Sequence, residues 1–301
     1  MEHVPVMCEE VLTYLDVKPD GTYVDCTVGD GGHALAIGQL LGSSGRILGI
    51  DLDPRALETA SRRLAGLRCR VDLVEGNFAQ LGCIMQKLGI AAASGFLFDL
   101  GASARQLYDP ARGFSYQHDG PLDMRMGPGV RRTAADLVNE ASEDELARIL
   151  REYGEERHAR RIARFIVAAR QRRPITSTAQ LVEVIKSAIP ARWRRRGPHP
   201  ARRTFQALRI AVNRELDNLT RGLKKALERS EEGGRIVVIA FHSLEDRVVK
   251  SLFREAAGEN RVEILTSRVI RPTNGEVERN PRARSARLRA VRVLRRTGGE
   301  Y

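Results

Sequence analysis

Gly29, Gly31 and Gly32 stand between an apolar run, Tyr23, Val24 and Cys26, and a helical stretch from Ala34 to Leu41. A second apolar run, Ile47, Leu48 and Ile50, ends at Asp51 and Asp53. Glycines let a ligand approach the main chain, and an acid about 20 residues on can accept hydrogen bonds from both hydroxyls of a ribose. The chemistry that fits is binding of an adenosine-type cofactor. Taken alone, the glycines would equally serve a tight strand-to-helix turn; the spacing to Asp51 favours the cofactor.

Other residues could act at such a site. Asp99 closes the apolar run Gly95-Phe-Leu-Phe-Asp99, and open α/β sheets bind ligands at the carboxyl ends of their strands. It either contacts the cofactor or shapes the reaction centre. His242, Ser243, Glu245 and Asp246 follow the run Arg235 to Ala240 and face the same edge. His242 reads as a substrate contact or as a structural histidine at a strand end, and the two acids also suit a helix N-terminus.

These residues need a sheet to hold them. After a short leading helix through Val11, Leu12 and Leu15, Pro54 opens a helix to about Leu64. Val71 to Val74 is a third strand, Leu81 to Leu88 a helix and Gly95 to Asp99 a fourth strand. Such alternation implies a parallel, doubly wound sheet. It then breaks. A polar segment, Gly113 to Gly129, is followed by helices that open at Ser142-Glu-Asp-Glu145 and Ser177-Thr-Ala-Gln180, with another carrying Ile162, Phe165, Ile166 and Ala169. Residues 132–201 are therefore expected as a helical insertion, and residues 1–131 and 202–301 as one discontinuous α/β domain.

One long amphipathic helix is expected from Phe205 to Leu227, with Leu208, Val212, Leu216, Leu219 and Leu223 at spacings of three and four. Extended runs follow at Gly233 to Phe241, Val262 to Arg271 and Ala286 to Leu294. The last two, joined without a helical crossover, must pair antiparallel. A mostly parallel sheet with a reversed terminal strand suits a methyltransferase better than a dehydrogenase.

The chain of 301 residues carries 50 Lys and Arg against 38 acids, a net charge of +12 and a pI near 10.1, which favours a polyanionic partner. Residues 132–203 hold 17 basic and 9 acidic residues. Their densest part, Ala191 to Arg203, encloses Trp193 and reads as a phosphate-backbone surface or as a solvated basic loop. Trp193 suits base stacking or packing equally. Arg282, Arg284, Arg287, Arg289, Arg292, Arg295 and Arg296 form a second basic set. Cys8, Cys26, Cys69 and Cys83 lie far apart without metal-ligand spacing, so reduced thiols and no metal are expected. No leader or membrane-spanning run is apparent, and a cytoplasmic location is expected.

Several strings together resemble one family: GDGGHA at 29–34, DLGAS at 99–103, RGFSY at 112–116, DGPLDMRM at 119–126, YGEER at 153–157, RTFQALRIAVNREL at 203–216, FHSLEDR at 241–247 and NPRARSARLR at 280–289. The chain is similar nearly end to end to the bacterial ribosomal RNA small subunit methyltransferase H family. Members methylate N4 of a decoding-site cytidine in small-subunit (16S) rRNA with S-adenosylmethionine. The resemblance implies a class I, Rossmann-like methyltransferase domain with an inserted helical domain for rRNA recognition. It implies Gly31, Gly32, His33, Asp51, Phe78, Asp99 and Gln106 as cofactor residues, and small-subunit rRNA or the 30S particle as partner, with no DNA and no membrane. Ala104 and Arg105 stand where the family usually has a Ser-Pro pair, and Asp30 where a small or basic residue is common.

The implied reaction needs an acceptor on the amine N–H to localise a lone pair that the ring delocalises. Asp99, Asp123 and His242 are the catalytic candidates. Leu100-Gly101-Ala102 provides no aromatic after Asp99, so stacking of the base falls to Phe114, Tyr116 or Phe241, with Asp119 and Arg125 in the same loop as the first two. Two rival readings remain at this point. An NAD-dependent oxidoreductase would use Gly29, Gly31 and Asp51 but lacks a third glycine at the usual spacing. A non-catalytic RNA-binding protein would keep the fold alone.

Overall fold

The computed structural model describes residues 5–194 and 199–294. Arg195, Arg196, Arg295 and Arg296, which the sequence places in basic clusters, lie outside the described residues. The chain forms two compact units, one of Met1–Gly101 with Leu216–Tyr301, the other of Ala102–Glu215.

The first unit is built on a seven-stranded sheet: β1 (Thr22–Asp25), β2 (Arg46–Asp51), β3 (Arg70–Glu75), β4 (Ala93–Asp99), β5 (Ser230–Ala240), β6 (Val262–Ile264) and β7 (Arg287–Val293). The order across it is β3-β2-β1-β4-β5-β7-β6. Strands β1 to β5 are parallel, and β7 runs antiparallel to both β5 and β6. The strand last in sequence is thus the reversed one, as expected. The link between β6 and β7 differs from expectation: the extended run stops at Ile264 and a short helix, Asn274–Arg279, intervenes. The connection from Ile264 to Arg287 is long enough for a crossover, yet β7 still pairs antiparallel with β6.

Helices cover both faces, so the central strands are apolar throughout. Phe96 and Phe98 enter a core with Leu219, Leu223, Leu227 and Phe253. Leu97, between them, points to the other face and meets Leu15, Ile37, Leu64 and Ile239.

In the second unit the helices Ala134–Glu140, Glu143–Glu152, Ala159–Arg170, Thr178–Ala188 and Arg202–Asn213 enclose Leu137, Leu146, Leu150, Ile162, Ile166, Leu181, Ile185, Phe205 and Leu208. Thr133 with Asp136 and Ser177 with Gln180 close full capping boxes, and the Ser142 hydroxyl accepts from the Glu145 N–H. Caps of this kind are each worth about 1 kcal/mol. Gly154 is fixed by packing: a Cβ there would lie 2.7 Å from the carbonyl oxygens of both Leu150 and Arg203.

This unit begins before residue 132 because the preceding polar segment is bonded to the helices. The Leu122 N–H donates to Thr176 O (2.9 Å), the Ala134 N–H to Asp123 O (2.7 Å), and Pro121 bridges Ser177. The continuous helix expected over 205–227 is two helices, Arg202–Asn213 and Glu215–Arg229. Arg214 between them is left-handed (φ 52°, ψ 40°), which costs a non-glycine residue roughly 1–2 kcal/mol. The two-pronged ion pair from Arg209 to Glu215, 2.8 Å at each prong, spans the break. Phe205, Leu208 and Val212 therefore serve the core of the second unit, and Leu219, Leu223 and Leu227 that of the first. No helix among the described residues is long and apolar enough to cross a membrane.

Candidate functional site

Three parallel strands of the first unit end in aspartate: Asp25 on β1, Asp51 on β2 and Asp99 on β4. Asp51 Oδ2 accepts from the Gly29 N–H (2.9 Å) and Oδ1 from the Asp53 N–H (2.9 Å). It ties the glycine turn to the strand end and keeps lone pairs for further donors such as ribose hydroxyls. Asp53 has a different task, capping the helix Pro54–Leu64 through the Arg55 N–H (3.1 Å). Gly29 and Gly31 hold φ of 51° and 81°. A Cβ on Gly31 would also stand 3.2 Å from Ala60 Cα, so helix packing and turn conformation both demand glycine there.

Gly32 and His33 open the helix Gly32–Leu40. His33 is buried, with Nε2 3.7 Å from Asp99 Oδ2. Thr27 connects two of the acids: its hydroxyl accepts from the Asp99 N–H (2.7 Å), and its own N–H donates to Asp25 Oδ1 (3.1 Å). Asp25 is 2% exposed, and burial, aided by the charge of Asp51, pushes it up to about 7. Burial and then the charge of Asp25 push Asp99 up to about 7 as well, with Arg282 opposing. Asp51 is also raised, by burial first. Asp99 Oδ1 is sealed from solvent and has no hydrogen-bond partner among the described residues. Phe78, just past β3, meets Phe98 edge-on at 5.6 Å.

An edge lined by carboxylates, one of them short of a donor, fits a ligand that brings positive charge and hydroxyls. S-adenosylmethionine has both, in its ammonium, its sulfonium and its ribose. The pyrophosphate of a dinucleotide would instead meet like charge, which weighs against the oxidoreductase reading.

Raised acids have a consequence for stability. Between about pH 4 and about pH 7 the folded protein keeps a proton on Asp25 that the unfolded chain has lost, so stability falls as pH rises through this window and stays low above it. Without cofactor, the melting temperature is expected to be lower at about pH 8 than at about pH 5.5, and Asp25→Asn to shrink that difference by raising the value at the higher pH. Thermal melts at both pH values check this; an unchanged difference would refute the role of buried Asp25.

His242 follows β5 and caps the helix Ser243–Gly258, its Nδ1 accepting from the Glu245 N–H (3.4 Å). Glu245 Oε1 is 3.1 Å from His242 Nε2, and Oε2 accepts from the Phe241 and His242 N–H groups (2.8 and 3.3 Å). Asp246, on that helix, pairs with Arg289 on β7 (2.6 Å), and Arg292 on β7 pairs with Glu263 on β6, so part of the terminal arginine set is engaged within the first unit.

In the second unit, Asp123 and Arg125 form a fork of two bonds (2.8 and 2.7 Å). Burial disfavours the ionised Asp123, but Arg125 outweighs it and holds the carboxyl below its usual range. Gln106 is buried: Oε1 accepts from the Ser103 N–H (3.0 Å) in a capping box, and Nε2 donates to Met126 O (3.2 Å). The helix Ala104–Tyr108 thus forms without the family's Ser-Pro pair. Phe114 belongs to the core, and Tyr116 stacks on His199 (4.7 Å, 10°) and meets Phe205 edge-on. Asp119 accepts from the Gly120 and Ala179 N–H groups (3.0 and 3.1 Å) and so fixes the start of a helix. Trp193 is 47% exposed, with the Arg192 guanidinium 5.6 Å over its ring. Arg160, Arg161, Arg164, Arg172, Arg173, Arg202 and Arg203 are exposed too.

The structure therefore gathers Gly31, Gly32, His33, Asp51 and Asp99 at one sheet edge of the first unit. Asp123, Arg125 and Gln106 share the second. Asp25 and Thr27 escape a reading by motif, although the repeated pattern of an apolar run ending in Asp marks Asp25. Asn213, which holds the Asp123 loop, leaves no such mark.

The family model described as the MraW methylase family matches residues 1–294. A ribosomal RNA small subunit methyltransferase H from Symbiobacterium thermophilum is 52% identical over 304 residues, covering 96% of this chain and 96% of that one. One of the same name from Geobacter sulfurreducens is 52% identical, covering 97% of this chain and 99% of that one. Among solved structures, an rRNA methylase from Streptococcus thermophilus aligns over 98% of this chain and 100% of its own at 11% identity, with a TM-score of 0.46.

Proposed function

The chain belongs to the MraW methylase family, and on that footing we propose that it uses S-adenosylmethionine to methylate the exocyclic N4 amine of a decoding-site cytidine in small-subunit ribosomal RNA. The observation that carries the reading is the row of Asp25, Asp51 and Asp99 at adjoining strand ends beside the glycine turn. The relatives that are half identical bear the name of small-subunit rRNA methyltransferases. The choice of cytosine N4 rests on the resemblance of DGPLDMRM and FHSLEDR to that family and on the acceptor chemistry of the site.

Bound, the cofactor supplies a methyl group already activated by its sulfonium, so the protein needs neither a covalent nucleophile nor a metal. Asp51 would take the ribose hydroxyls on the lone pairs left by Gly29 and Asp53. Phe78 would lie near the adenine, and Gly31, Gly32, His33 and Gln106 would complete the proposed cofactor set. Asp99 would accept an amine N–H, localising the nitrogen lone pair and holding it in line, and the surplus proton left on the methylated nitrogen would pass to a carboxylate or to water. Asp123 with Arg125, and His242 as fixed by Glu245, are the groups proposed to meet the base. A base must leave its stack to reach the methyl group, which is easiest in a junction or loop of folded RNA, and the exposed arginines of residues 132–203 grip the surrounding backbone.

The test is transfer of labelled methyl to 16S rRNA and to 30S particles from cells lacking the protein, followed by mass mapping of the nucleoside. Label in N4-methylcytidine is expected; label on carbon or on another base would refute the assignment. Calorimetry should find binding of S-adenosylmethionine and none of NAD.

A further inference from the structure

We propose that Asn213 is the positioning residue that sets the substrate loop, holding the backbone on either side of Arg125 so that the Asp123–Arg125 fork is presented to the target base. The proposal rests on the reading above that this loop meets the base. Asn213 is the last residue of the helix Arg202–Asn213 and is 5% exposed. Its Oδ1 accepts from the Met126 N–H (2.8 Å), while its Nδ2 donates to Met124 O (2.8 Å) and to Arg209 O (2.9 Å).

One carboxamide therefore pairs with the residues before and after Arg125, much as a neighbouring strand would. Few side chains offer a donor and an acceptor in a single plane at this reach. The loop needs the support. Met124 sits at φ 62°, a conformation that a bulky side chain keeps only where its surroundings impose it, and such positions gather at functional sites. The result divides the loop by polarity: Met124 is fully buried, whereas the side chain of Arg125 is 38% exposed and that of Asp123 26%. From the other side, Arg112 Nη2 donates to Arg125 O (3.0 Å) and Met126 O (3.1 Å).

The experiment compares Asn213→Ala and Asn213→Asp with Leu181→Ala, a core change elsewhere in the same unit, and with Asp123→Ala and Arg125→Ala. Loss of the paired bonds is expected to raise the KM for 30S or rRNA about tenfold in Asn213→Ala, with the affinity for S-adenosylmethionine unchanged. Asn213→Asp keeps the acceptor for Met126 but turns a carboxylate oxygen toward the carbonyl oxygens of Met124 and Arg209, so its KM should rise at least as far as that of Asn213→Ala; Asn213→Ser, which shortens the reach without adding charge, serves if these variants fail to fold. Leu181→Ala should lower the melting temperature at least as much and leave KM near the wild-type value. If the Asn213 variants raise KM no more than Leu181→Ala, the positioning role is overturned. If Asp123→Ala and Arg125→Ala themselves leave KM and kcat unchanged, the fault lies in the base-pocket reading instead.

Discussion

Replacing Asp99 by alanine is expected to slow methyl transfer by about 100- to 10,000-fold, the range spanned by positioned acid–base groups. Asp99 Oδ1 has no hydrogen-bond partner among the described residues, so an amine N–H brought within reach of it would meet an acceptor already in place. Asp99→Asn keeps a carbonyl oxygen of similar shape without the charge and should retain more activity than alanine. The wild-type rate should also depend on pH. Burial beside Asp25 pushes Asp99 up to about 7, so kcat/KM should rise as the carboxylate forms through that pH, with a lower inflection in kcat once a cationic ligand favours the charged form. Asp99→Asn should flatten the rise. Steady-state kinetics alongside cofactor calorimetry separates the two roles of this acid: weakened cofactor binding with a normal rate at saturation would make Asp99 a cofactor contact only.

The affinity for rRNA is expected to fall steeply with salt. If the exposed arginines of residues 132–203 neutralise about six phosphates, affinity should drop on the order of a thousandfold between about 50 and about 200 mM salt. Removing the charge at Arg160, Arg161 and Arg164 together should lower the slope by up to about three, one for each phosphate no longer neutralised. These arginines ride on a helix whose other face buries Ile162, Ala163 and Ile166, so their removal leaves the core intact. Filter binding across a salt series measures the slope; a flat response would locate RNA recognition elsewhere.

Most of the first unit was legible because its signals are local. Strand, glycine turn, helix and strand follow one another between Tyr23 and Asp53, and the reversed β7 shows in the alternation of Leu288, Ala290, Val291 and Val293. The break at Arg214 was not legible, since spacings of three and four persist across it and arginine has no preference for a left-handed turn. What separates Val212 from Leu219 is membership of different cores, a property of the folded chain. The edges of the second unit were hidden for a similar reason: its loop is attached through backbone groups of Leu122, Asp123 and Thr176, and main-chain bonds leave no residue pattern. Among site residues, Asp51 stood out by spacing and Asp99 by ending a strand. Asp25, with the same placement, was obscured by the glycines that follow it, and Asn213 acts across 87 residues of sequence to reach Met126.

Strand β4 ends at Asp99 and its neighbour β5 starts at Ser230, with the whole second unit encoded between them. On a ribosome adding about 5–20 residues per second, β4 must wait several seconds or more for its partner. During that interval Phe96, Leu97 and Phe98 lie on an open sheet edge, the state in which nascent chains join one another. A helical unit that folds as soon as it emerges shortens the distance β5 must search, while destabilising it prolongs the exposure. Substitutions in the second unit should therefore reduce the yield of soluble protein at high expression rates more than their effect on the melting temperature of the finished molecule suggests.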